Sequence, residues 1–251
     1  MNKVSQVFLS CIITLCALSQ VSFSRADELK KSYYLIGNSL TWDTVPSLLD
    51  GDVQWHVDCG KSLPYIFEHP KMPCVKNSSL WPKALKEKQY DFISVQPHYG
   101  STLPEDVDVI SKWVEMQPKA VFIIHTGWAR SATRADEYTN EDIAGKLQHS
   151  PAYFKSLLTE LKKRYPDRQF KQTYAIDLLD KVNSDIKNKQ APFNQISDLY
   201  RDAIHMKTDS GRYLMHNAMR HAMGQPRSEK GYEKTDPKTK QYLNRVLDTL
   251  K

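Results

Sequence analysis

A serine, an aspartate and a histidine stand in an order able to carry out acyl transfer. Ser39 stands within the run Tyr33-Tyr34-Leu35-Ile36-Gly37-Asn38-Ser39-Leu40-Thr41, where an apolar segment of strand length hands over to a loop, and Asp202-Ala203-Ile204-His205 lies far downstream. A hydroxyl at a strand end is held by a stiff scaffold, and an aspartate three residues before a histidine shares its loop and orients the imidazole. In such a triad the imidazole takes the hydroxyl proton, the hydroxyl oxygen attacks a carbonyl carbon, and the carboxylate stabilises the imidazolium. Taken singly, each residue also has a plain structural reading: Ser39 as a helix or turn cap, Asp202 as a turn cap, His205 as a satisfied surface or core side chain.

Elements of two kinds must bring these residues together. Five apolar runs of strand length fall at 33–36, 53–57, 91–95, 120–125 and 170–176. Between them, Val107-Ile110-Val114 and Tyr153-Phe154-Leu157-Leu158-Leu161 repeat at three and four residues, the spacing of a helix face. Strands alternating with helices imply βαβ units, and Phe122-Ile123-Ile124 reads as a strand buried on both sides. The expected fold class is therefore α/β, a three-layer α/β/α sandwich with a mainly parallel five-stranded sheet. A helix is expected over 210–221 and another over 242–250, where Leu243, Val246, Leu247 and Leu250 share a stripe. Ligands of open parallel sheets bind outside the carboxyl ends of the strands; Ser39 follows the first run, Gly60 the second and Gln96 the third.

These blocks resemble the SGNH, or GDSL-type, hydrolases, in a branch reading Gly-Asn-Ser where Gly-Asp-Ser is usual. Gly37-Asn38-Ser39-Leu40-Thr41 is similar to the nucleophile block, and Gly60 within Asp58-Cys59-Gly60-Lys61-Ser62-Leu63 to the glycine whose N–H faces the oxyanion. Asp202-Ala203-Ile204-His205, continuing through Gly211 and Tyr213, resembles the closing Asp-x-x-His block. The third block departs from the pattern, since Ser94-Val95-Gln96-Pro97-His98 stands where Gly-x-Asn-Asp is expected. The resemblance implies a flavodoxin-like fold and ester hydrolysis through an acyl-Ser39 intermediate, with Asp202 and His205 as the base pair and no metal or organic cofactor. It also implies an oxyanion hole from the N–H groups of Ser39 and Gly60. Gln96 carries the missing asparagine's amide on a stem one methylene longer, and is read as the third donor. The substrate expected is a small-molecule or carbohydrate ester; the alternative is a non-catalytic exported binding protein on the same scaffold. Without a Gly-x-Ser-x-Gly elbow, an ordinary α/β-hydrolase is a poor match.

The N-terminus reads as a secretory leader: Lys3, an apolar stretch over 7–18, and Ser24-Arg25-Ala26 as a cleavage pattern. The stretch falls short of the roughly 20 residues of a membrane span. Cleavage after Ala26 leaves 225 of the 251 residues as one domain, 27–251, in a secreted or periplasmic protein. Losing Lys3 and Arg25 takes the formal charge from +6 to +4, and the remaining charges are interspersed, which argues against nucleic acid as a partner. Cys59 and Cys74 remain in the mature chain, either as a disulfide or as two buried thiols. His98, His125, His216 and His221 lack the i, i+4 spacing of a helical zinc site. Trp42, Tyr99, Trp128 and Tyr138 are candidates for a stacking wall or for loop anchors, and Arg130 and Arg134 for holding an anion or lying solvated.

Overall fold

Tyr33, Tyr34, Leu35 and Ile36, aromatic or branched and all buried, form the strand on which the sheet is built, β1 (Ser32–Gly37). In the computed structural model, residues 30–250 are described; the expected leader, 1–26, lies outside them. The other strands are β2 (Asp52–Val57), β3 (Phe92–Val95), β4 (Val121–Ile124) and β5 (Phe170–Gln172). The sheet order is β2-β1-β3-β4-β5, and every neighbouring pair is parallel. Ile36 stands beside Val95, and Val95 beside Ile124, so the residues that follow these strands emerge level along one edge.

Successive side chains leave opposite faces of a strand, and the core divides accordingly. Tyr34, Ile36, Ile93, Val95, Phe122 and Ile124 pack with α2 (Leu63–Glu68), α3 (Trp81–Glu87), α4 (Leu103–Met116) and α6 (Pro151–Arg164). Tyr33, Leu35 and Ile123 pack against Met219, Ala222 and Met223 at the end of α8 (Ser210–Ala222). That layer also holds α7 (Ala175–Lys187) and α9 (Pro237–Leu247), while the short α1 (Ser39–Asp43) and α5 (Arg134–Tyr138) sit in loops at the strand ends. This is the three-layer α/β/α arrangement, with a sheet that is parallel throughout.

Two expectations need correction. The run 170–176 is not one strand: β5 stops at Gln172, Tyr174 takes a left-handed conformation (φ 54°), and α7 begins at Ala175. Ala175, Leu178, Leu179 and Val182 recur at helical spacing and share a core cluster with α9, so burial of a helical stripe prevails over local strand propensity. The closing helix starts at Pro237, where the Asp236 carboxylate accepts from Thr239 N–H at 2.8 Å, and ends at Leu247. Among the described residues no helix is long and apolar enough to cross a membrane.

Candidate active site

The turn from β1 into α1 is held from several sides. Asn38 caps α1: its Oδ1 accepts from Leu40 N–H at 2.9 Å, while its Nδ2 donates to Lys61 O at 3.1 Å. An aspartate could do the first but not the second, so the Gly-Asn-Ser spelling ties the Ser39 turn to the loop after β2. Gly37 is required by close approach, since a Cβ there would meet Thr41 Oγ1 at 2.1 Å and Gln96 Cβ at 2.8 Å. Ser39 begins α1 and remains partly exposed among buried neighbours.

The downstream loop reaches this turn. His205 Nε2 lies 2.9 Å from Ser39 Oγ, and His205 Nδ1 lies 2.9 and 3.0 Å from the two oxygens of Asp202. A carboxylate at Nδ1 requires the proton there, which leaves Nε2 to accept from the serine hydroxyl. Asp202 Oδ1 also accepts from the backbone N–H of Ile204 (3.0 Å) and His205 (2.8 Å). Partial burial pushes the Asp202 carboxyl up, but these N–H groups and the imidazole outweigh it and bring it down to about 2. The carboxylate is therefore charged throughout the neutral range.

Segments after β4 brace that loop. Trp128 Nε1–H donates to Ile204 O at 2.6 Å, Ser131 N–H to Ala203 O at 3.0 Å, and Tyr200 O–H to Ala129 O at 3.2 Å. Trp128 is fully buried and anchors the loop; it offers no stacking wall. Arg134 is buried and paired with Asp180 at 3.1 Å, so it is not placed to take an anion, whereas Arg130 is exposed. Tyr138 O–H donates to Asp177, and Tyr99 O–H donates to Glu137 at 2.7 Å. Burial raises the Glu137 carboxyl, yet hydrogen bonds from His149, Thr133 and Tyr99 carry it down to about 2. Burial, reinforced by His149 and Arg130, pushes the His98 imidazole down to about 3, so it stands neutral near His205.

The remaining candidates occupy the same edge of the sheet. Gly60 lies in a turn closed by Lys61 N–H to Asp58 O at 3.2 Å, and its φ of 70° is a conformation that glycine adopts without strain. A disulfide joins Cys59, immediately before it, to Cys74. Among the described residues, neither the Ser39 nor the Gly60 N–H donates a hydrogen bond. Gln96 is fully buried, and its Oε1 accepts from Asn38 N–H (3.2 Å), Thr41 N–H (3.1 Å) and Thr41 O–H (3.0 Å). Its Nε2 donates to Pro97 O at 3.4 Å. The carboxamide thus faces the Ser39 turn as an acceptor. The two hydrogen bonds of the Asn38 side chain are absent from the sequence expectations, although the N-cap preference for Asn signals the first of them, and Trp128 takes the loop-anchor role of its two expected ones. Elsewhere, His125 Nδ1 lies 2.9 Å from Thr173 Oγ1, and His216 Nδ1–H donates to Thr44 O at 2.7 Å.

No protein-family model matches the sequence, and no curated protein matches it. Among solved structures the chain is similar to one described as a GDSL-like lipase from Parabacteroides merdae ATCC 43184, at 14% identity over 78% of this chain and 97% of that one, TM-score 0.48. It is similar to the acetyl xylan esterase Est2A from the rumen bacterium Butyrivibrio proteoclasticus, at 10% identity over 57% and 54% of the two chains, TM-score 0.36. A family two carbohydrate esterase from Cellvibrio japonicus gives 11% identity over 57% and 52%, TM-score 0.36. The chain spans about half the length of these two carbohydrate esterases.

Proposed function

We propose that this protein is an exported serine ester hydrolase of SGNH type, acting through an acyl-Ser39 intermediate. The observation that carries this reading is the unbroken chain from Ser39 Oγ to His205 Nε2 at 2.9 Å and from His205 Nδ1 to Asp202 at 2.9 Å. Ser39 Oγ adds to the ester carbonyl as its proton passes to His205 Nε2. The tetrahedral intermediate collapses, the C–O bond to the alcohol breaks, and the leaving oxygen takes that proton. Water then loses a proton to His205 and attacks the acyl group, which releases the acid and restores Ser39. In this reading the oxyanion faces the uncommitted N–H groups of Ser39 and Gly60. Two backbone donors are what the serine protease template uses, so Gln96, read from the sequence as a third donor, serves as the support under the turn. The leader expected over 1–26, the Cys59–Cys74 disulfide and the partly exposed pair of Trp42 and Trp55, ring centroids 5.6 Å apart, support an acylated carbohydrate outside the cell as substrate.

The test is p-nitrophenyl acetate turnover and fluorophosphonate labelling by the mature protein, beside Ser39→Ala. Turnover that disappears in Ser39→Ala, with the probe on Ser39, is the expected result, to be followed by acetyl release from acetylated xylan. A folded protein that neither turns over nor labels overturns the reading in favour of a binding protein on this scaffold.

A further inference from the structure

The nucleophile and the acid–base loop come from segments 166 residues apart, and their alignment needs more than the single bond between His205 and Ser39. Asp43 supplies a second connection. It is the last residue of α1, the helix that Ser39 begins, and its side chain is completely buried. An ionised carboxylate out of water is costly unless charge and hydrogen bonds compensate it, and here, among the described residues, the donors to its oxygens come from the far segment of the chain. Its Oδ1 accepts from Arg201 Nη1 at 3.0 Å and from Arg212 Nε and Nη2 at 2.9 and 2.7 Å; its Oδ2 accepts from Met206 N–H at 2.7 Å.

Those partners are specific in position. Arg201 immediately precedes Asp202, and Met206 immediately follows His205, so one carboxylate grips both stems of the loop. Arg201 reinforces the grip, since its Nη1 donates to Met206 O at 2.8 Å and its N–H to His205 O at 2.9 Å. Its Nε also lies 3.8 Å from Asp202 Oδ2. Contacts therefore run in a closed circuit: Ser39 along α1 to Asp43, across to Arg201 and Met206, through Asp202 to His205, and back to Ser39.

We propose that Asp43 is a positioning residue for the triad, setting the distance and orientation of His205 relative to Ser39 by holding both stems of the acid–base loop against the nucleophile helix. The proposal rests on the acyl-transfer reading above. It requires Asp43 to act through His205 and not merely through stability, because a misplacement near 1 Å costs about 10²-fold in rate.

The experiment compares the mature wild-type protein with Asp43→Asn and Arg201→Gln, using p-nitrophenyl acetate kinetics, the rate of fluorophosphonate labelling, and the downfield ¹H resonance of the His205 Nδ1 proton, identified by its loss in His205→Gln. Circular dichroism and thermal melting report folding. Folded Asp43→Asn is expected to lose about 10- to 100-fold in kcat with KM within about twofold, to label more slowly by a similar factor, and to show the His205 resonance broadened by exchange with water. Arg201→Gln is expected to move the same readouts in the same direction by less, because Asp43 keeps Arg212 and Met206, and Arg201→Lys is expected to restore part of the loss. Folded variants with wild-type kcat, labelling rate and His205 resonance overturn the proposal. Should Asp43→Asn fail to fold, Arg201→Gln decides by the same three readouts, its side chain being about one-third exposed. A wild type that neither turns over nor labels defeats the acyl-transfer reading instead, and the His205 resonance still decides whether Asp43 positions the loop.

Discussion

The turn that carries Ser39 sits directly on the sheet among buried residues, whereas the loop that carries Asp202 and His205 is irregular and leaves those side chains 48% and 28% exposed. Asn38, Leu40 and Thr41 are inaccessible, and they are fixed by β1, by the Gln96 carboxamide and by the loop after β2. The acid–base loop has no strand or helix of its own, and takes its position from hydrogen bonds to Trp128, Ser131 and Asp43. Damage to the first should therefore cost stability and rate together, because buried donors lose their acceptor. Substituting Asp202 or His205 themselves should cost rate with little change in stability, because those side chains are already wet.

Asp202→Asn gives the sharpest test on the loop side. Replacing an acceptor-only carboxylate by an amide that can donate disturbs the imidazole tautomer, and kcat is expected to fall on the order of 10⁴-fold while the fold is kept. The pH dependence of its stability contribution is confined to acid. The folded-state carboxyl lies at about 2, below its usual 3.8, so its contribution is complete above about pH 4 and disappears as the pH falls toward 2. The melting temperatures of wild type and Asp202→Asn should converge over that window; parallel curves would remove the hydrogen-bonded carboxylate from the account.

Gln96→Leu probes the other side. It leaves the N–H groups of Asn38 and Thr41 and the Thr41 hydroxyl buried without their acceptor. Urea denaturation should show a loss of about 3 kcal/mol, and kcat should fall about 10- to 100-fold. A similar fall in kcat with unchanged stability would return Gln96 to the role of oxyanion donor and dissolve the contrast between the two regions.

Reduction of Cys59–Cys74 is expected to have the smallest effect. Closing a loop of 15 residues contributes about 3 kcal/mol in the chain-entropy model, and the bond tethers the turn holding Gly60. Dithiothreitol should lower kcat several-fold before far-UV circular dichroism changes. Activity and structure lost together would make the bond a brace for the whole domain and not a local tether.

The alternation of strand-length apolar runs with helical stripes was enough to establish an α/β sandwich, because burial of β1, β3 and β4 on two faces and of α4 and α6 on one leaves a period in the residues themselves. Asp202 and His205 were legible for a related reason: a three-residue spacing confines both to one loop whatever surrounds them. The break after Gln172 was not, since Tyr174 and Ala175 turn into α7 only because a helical stripe finds a core to enter. Nor could the direction of the Gln96 carboxamide be read, because its acceptor side is chosen by donors up to 58 residues away that the register of β1 and β3 brings next to it. Residue type and local spacing thus determined which groups could react and which layers would form. Tertiary structure alone decided that Gln96 and Asn38 would hold the nucleophile turn, and that Asp43 would face Arg201, Arg212 and Met206, because burial and hydrogen-bond direction depend on which distant segments share the same space.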